Sequence, residues 1–136
     1  MAITTIYRIE HHVTNTGPWQ ACKDLAERDD MAAREQRKAA YAFRDYLNEK
    51  LDLGQFPGAS IDFGFSFRHG EHLCASPSKE VVHKWFDTDR DDIKEMVHNA
   101  GYRVLKIRID ANKLLRSRSG MQVAFKRQDI KKVDIS

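Results

Sequence analysis

The stretch from about Asp30 to Leu51 most constrains this chain. Ala39, Phe43, Leu47 and Leu51 recur at four-residue steps with Tyr46 beside them and charged residues between, the pattern of one long helix with a single apolar stripe. Such a helix must lay its stripe on something. The opening residues offer a partner of the other kind: Ile3, Thr5, Tyr7 and Ile9 alternate with Thr4, Ile6, Arg8 and Glu10 at period two. Both faces of that strand are partly apolar, which predicts an interior position in a sheet. Thr14-Asn15-Thr16-Gly17-Pro18 is rich in turn formers and ends it, while Gly54 and Pro57 are expected to stop the helix.

Further along, FPGASIDFGFSFRHGEHLCASP reads either as a hairpin or as a long loop leading to a short strand at Leu73 to Ala75. Ser76 followed by Pro77 has the form of an N-cap with proline at the first helical position. The short helix after it would set Val81 beside Trp85 and Val82 beside Phe86. A second short helix begins at Asp89 to Asp92, with Ile93, Met96, Val97 and Ala100 on one face and Gly101 as its stop. Tyr102 to Asp110 reads as a strand. A basic linker from Lys113 to Ser119 then leads to strands near Met121 to Arg127 and Ile130 to Ile135. The expected fold class is α+β: a single small domain over residues 1–136, a mixed or antiparallel sheet with one long and two short helices. At 136 residues and 41% hydrophobic, the chain is large enough to bury one core without staples.

Charge is unevenly spread. Residues 101 to 136 hold 10 Lys/Arg against 3 Asp/Glu, a local +7, whereas the rest of the chain is −4. Arg116, Arg118, Lys126, Arg127, Lys131 and Lys132 are therefore candidate contacts for an anionic partner, either an acidic protein surface or nucleic-acid phosphates, against the plain alternative of a solvated strand face. No apolar run is long enough for a membrane span and the N-terminus lacks signal-peptide character, so a cytoplasmic protein with no membrane partner is expected. Cys22, in a polar stretch read as helical, and Cys74, in the apolar run Leu73-Cys74-Ala75, read as reduced thiols.

Several chemistries are disfavoured by spacing. His69, His72 and Cys74 form H-x-x-H-x-C, and His11-His12 adds a pair, but the paired ligand sets of strong zinc sites are missing, so no metal is expected. There is no glycine-rich phosphate loop of either common type and no G-x-S-x-G elbow. Nothing near Cys74 is evidently placed to activate it as a nucleophile, and a packed thiol is the simpler account. Trp85-Phe86 reads as a core anchor rather than a base-stacking platform.

Scattered short matches, "IYRIEHH", "TGPW", "HLCASPSKEVVHKWF", "GYRVLKIRI" and "GMQVAF", resemble a group of small phage and prophage proteins. The order of parts is also similar to a minimal ADP-ribosyltransferase-like fold, in which a first-strand arginine or histidine, a central serine strand and a late glutamate strand surround NAD. That resemblance implies Tyr7-Arg8 near a cofactor phosphate and Ser76 just after the central strand, although Pro77 departs from the family's Ser-Thr-Ser. In the closing E-x-E-V motif the second glutamate falls on Gln122 and the first position on Gly120. The family's glutamate implies binding of the nicotinamide ribose and support for an oxocarbenium-like transition state. A neutral amide supplies only a dipole there, so transfer by Gln122 is expected to be weak or absent. From pattern alone, Gln122 reads as an outward residue on a strand whose Met121, Val123 and Phe125 face inward, Arg8 as a surface residue, and Ser76 as a helix cap.

Three classes of function follow. The first is a non-catalytic binding protein, a phage-encoded inhibitor docking on a host complex through the basic C-terminal segment. The second is an ADP-ribosyltransferase-like enzyme using NAD, with Arg8, Ser76 and Gln122 as its candidate groups. The third is a nucleic-acid binder.

Overall fold

The computed structural model describes residues 2–28, 30–53 and 58–136; the expected stops at Gly54 and Pro57 lie outside the described residues. It is an α+β domain with two three-stranded antiparallel sheets, where the sequence pattern pointed to one. Sheet one runs β1-β3-β6, with β1 at Ile3–His11, β3 at Tyr102–Asp110 and β6 at Ile130–Ile135. Sheet two runs β2-β5-β4, with β2 at Leu73–Ala75, β4 at Leu115–Arg116 and β5 at Val123–Phe125. Among the described residues, one β-bridge joins the two sheets: Tyr7 and Ser76 exchange N–H···O bonds of 2.9 and 2.7 Å.

Three layers result. On one face of sheet one, Tyr7, Ile9, Tyr102 and Val104 meet the helices, where Phe43, Leu47, Val82, Ile93 and Val97 complete a first core. On the opposite face, Ile6, Leu105, Ile107 and Ile109 pack on Val123, Phe125 and Ala75 of sheet two. The register makes this alternation explicit, setting Ile6 opposite Ile107 and Ile9 opposite Val104. Period two thus assigns successive residues of β1 and β3 to different cores. The apolar character of both faces of β1 comes from this layering, not from a central position. The central strand is β3, and β1 lies at the edge of sheet one with its far side met by Ser76.

The long helix, α2 at Met31–Asp52, falls almost where its stripe predicts. Asp30 caps it by accepting from the Ala33 N–H at 2.8 Å. The stretch around Cys22, read as helical, is α1 at Pro18–Ala26, a further helix beyond the one long and two short ones expected, with Pro18 in the first turn where no N–H is required. It buries Ala21, Cys22 and Leu25 against α2, so Cys22 is a core thiol and not part of a polar surface. In place of a hairpin or loop, residues 59–66 form α3 at Ala59–Phe63 and a 3-10 turn at Gly64–Ser66.

The cap of α4, Lys79–Phe86, is Ser78, whose hydroxyl accepts from the Val81 N–H at 3.2 Å. Ser76 does not cap it, because its backbone is committed to Tyr7. Helix α5, Asp91–Ala100, has its acidic first turn and ends at Gly101 with φ +88°, where a side chain would be strained. The expected basic linker contains β4, and the strand expected over Met121 to Arg127 is confined to Val123–Phe125. No helix among the described residues is long and apolar enough to cross a membrane.

Candidate functional site

A cavity opens between the end of β2, the start of α1 and the rim of α3, with a volume of about 350 Å3. Its walls include Tyr7, Arg8, Ser76 and Gln122, so the structure brings together the residues singled out near a cofactor. Trp19, Phe67, Trp85 and Phe86 add aromatic rings to a largely apolar lining. Trp19 and Trp85 meet edge to face at 6.3 Å, and Trp19 Nε1 donates to Asn48 at 2.7 Å, which fixes that wall.

Arg8 is not a surface residue; its side chain is 10% exposed. Nε donates to Glu10 Oε2 at 2.7 Å and Nη1 to the Cys74 carbonyl at 2.5 Å. Nη2 lies beside Gly17, where a Cβ would come within 3.3 Å of it. Glycine at 17 therefore lets the start of α1 close over the guanidinium. Glu10 is also held by Arg127, at 2.6 Å, so its carboxylate is enclosed by two cations.

Gln122 is buried, 7% exposed, which corrects the outward reading. It lies just before β5, and its Nε2 donates to Asp62 Oδ2 at 3.0 Å. The same carboxylate accepts from the Ser119 N–H at 2.8 Å and the Ser119 hydroxyl at 2.7 Å. Burial opposes ionisation of Asp62, but the bonds from Ser119, Ser117 and Gln122 outweigh it and hold the carboxyl below its ordinary value. Asp62 thus ties α3 to the loop that carries Gln122. Sequence reasoning missed it, since its partners are some sixty positions away.

Among the described residues, the cleft lining contains no Asp or Glu. Cys74 lines it, but burial pushes its thiol up to about 11 despite Arg8, and it is disfavoured as a nucleophile at neutral pH. Cys22 and Cys74 are both free. His69 and His72 stand at the rim with their rings 5.0 and 5.7 Å from Phe67, and no group of three or more metal-ligating side chains gathers among the described residues.

A family model described as Bacteriophage T4 Y00F protein matches residues 1–136. The chain belongs to the bacteriophage T4 Y00F protein family. Comparisons with curated proteins and with solved structures give no match.

In this Y00F-family chain the cations of the C-terminal segment do not form one patch. Arg116 and Arg118 are exposed near the Gln122 end of the cleft, Ser117 N–H reaching the Gln122 carbonyl between them. Lys126 is half-buried and Arg127 turns to Glu10, whereas Lys131 and Lys132 are exposed on β6 of the other sheet. Their closeness in sequence is divided between two sheets.

Proposed function

We propose that this phage-family protein is a non-catalytic binding protein on an ADP-ribosyltransferase-like scaffold, with the Arg8 cleft as the seat for an NAD-type nucleotide. One observation carries the reading: Tyr7, Arg8, Ser76 and Gln122, distant in sequence, line one aromatic cleft whose described walls hold a guanidinium and no carboxylate. Its size falls in the range of small-ligand sites. Aromatic walls suit a planar base or nicotinamide ring, and Arg8 Nη2 suits a phosphate oxygen. Stabilising a developing sugar cation calls for a carboxylate, and the nearest ones are engaged, Glu10 by Arg8 and Arg127, Asp62 by Ser119 and Gln122. The exposed Arg116 and Arg118 near the cleft support the wider role of an inhibitor that meets an acidic surface of a host complex while the ligand is held.

The test is titration of NAD into the protein, followed by quenching of Trp19 and Trp85 fluorescence, with label transfer from NAD to bacterial lysate measured alongside. Saturable quenching, weakened about tenfold or more in Arg8→Ala and without label transfer, is the expected result. Transfer by the wild type that disappears in Arg8→Ala would make the protein an enzyme. Absence of quenching at millimolar NAD would remove the nucleotide from the account.

A further inference from the structure

Strand β6 leaves one edge of sheet one uncovered by any described strand, and its composition fits a particular occupant. Along Ile130–Ile135 the order is Ile-Lys-Lys-Val-Asp-Ile. Val133 is 44% and Ile135 67% exposed, both on the face whose β3 partners are Ile107 and Leu105. Lys132 and Asp134 project on the opposite face and pair loosely with each other at 3.8 Å, both well exposed. An edge strand presents main-chain donors and acceptors, and lysines there usually deter unwanted strand addition.

We propose that β6 pairs antiparallel with β6 of a second copy of this chain, about a two-fold axis at Val133. The sequence is self-complementary in that arrangement alone. Centred on Val133, the pairing sets each Lys132 opposite the partner's Asp134, Val133 opposite the partner's Val133, and Lys131 opposite the partner's Ile135. A two-fold axis through the sheet keeps each residue on its own face, so the next permitted registers are two residues away in total index. One of them sets Lys132 against Lys132, the other Asp134 against Asp134. Like charges directly opposite destabilise a strand pair and opposite charges stabilise it, so charge selects the register centred on Val133. Lys132 and Asp134 together then exclude the neighbouring registers while admitting this one. The second copy also brings together two Val133 side chains and extends sheet one from three strands to six.

A single strand pair is a small interface, so the dimer is expected to form and dissociate over roughly 5 to 500 µM protein. Sedimentation equilibrium across that range reads it directly, with circular dichroism to show that each variant is folded. The wild type is expected to show a monomer–dimer equilibrium. Asp134→Lys, which sets Lys132 against a second lysine, is expected to weaken it at least tenfold, and the exchanged pair Lys132→Asp with Asp134→Lys is expected to restore it. A monomeric wild type at every concentration, a folded Asp134→Lys protein that dimerises as well as wild type, or an exchanged pair that stays monomeric would each overturn the proposal.

Discussion

At the scale of single residues, the molecule depends on a few buried polar groups whose partners come from far along the chain. Asp62 is the clearest, accepting from Ser119 and Gln122 across nearly sixty positions. Replacing it with Asn keeps the shape but removes the charge that these donors serve. Asp62→Asn is expected to cost about 1–3 kcal/mol at pH 7, read from urea unfolding midpoints. Because the folded carboxyl is held below its ordinary value, the wild type's advantage is full above about pH 4 and fades as pH falls through the folded pKa. The two proteins should therefore converge in stability as pH falls below the folded pKa. His11 behaves with a different window. It is fully buried, its Nδ1 accepting from the Val13 and Thr14 N–H groups and its Nε2 facing Gln36 at 2.9 Å. Burial, with some help from His12 and Arg28, lowers its pKa against the opposing effect of Gln36. Its neutral form thus contributes stability that is complete above about pH 6.5 and declines as pH drops through that value toward the folded pKa. A His11→Gln variant is expected to show a flatter stability profile between pH 7 and 5, measured as Tm in a pH series.

At the scale of elements, legibility followed the physics of each signal. The stripe of α2 and the alternation of β3 were readable because both repeat a local period over nine or more residues. Helix α1 was legible only as a helical stretch around Cys22; its start was not, since Pro18 directly after Gly17 reads as a turn, and burial against α2 settles its bounds. Ser76 was misplaced as a cap by two positions. Its sequence context fits a helix start, but Ser78 provides the hydroxyl while Ser76 is taken into a tertiary pairing that no local pattern announces. The end of α4 depends on a similar long-range contact. Lys50 of α2 donates to the Trp85 carbonyl at 2.7 Å and to Asp87 at 2.9 Å, closing a turn in which Asp87 has φ +54°. Lys50→Met removes the buried ammonium from the Trp85 carbonyl and from Asp87, whose carboxylate keeps the Tyr46 hydroxyl, and should cost about 1–3 kcal/mol, seen as a lowered urea midpoint. The stop of α5 is stricter still. A Cβ on Gly101 would fall 2.7 Å from His11 Nε2 at a positive φ, so Gly101→Ala is expected to destabilise by more than about 2 kcal/mol, the strain and the clash acting together.

At the scale of the whole molecule, β3 is the shared wall of two cores, with Ile107 turned to sheet two and Tyr102 to the helices. Loosening either core therefore weakens support for the other. Phe43→Ala in the helix layer and Ile107→Ala between the sheets are each expected to lower stability by about 2–5 kcal/mol. Unfolding of both variants should remain one transition, with tryptophan fluorescence and far-ultraviolet dichroism giving the same midpoint; separated midpoints would show that the layers melt independently. Of the candidate site, the sequence reading reached Tyr7, Arg8, Ser76 and Gln122 through resemblance. The aromatic walls stayed hidden because Trp19, Phe67 and Trp85 belong to three separate elements or turns, each with a sufficient local explanation.

The bridge between Tyr7 and Ser76 is made entirely by main-chain atoms, within the wall of the cleft. Any residue except proline retains a backbone N–H, so positions 7 and 76 can vary in side chain while the joint between the sheets persists. Because Tyr7 also packs on the helix core and Ser76 is buried, replacements of similar size at these two sites should fold while changing ligand capture, read as NAD titration of the folded variants. Evolution working on such a wall can retune what the protein holds without rebuilding the protein that holds it.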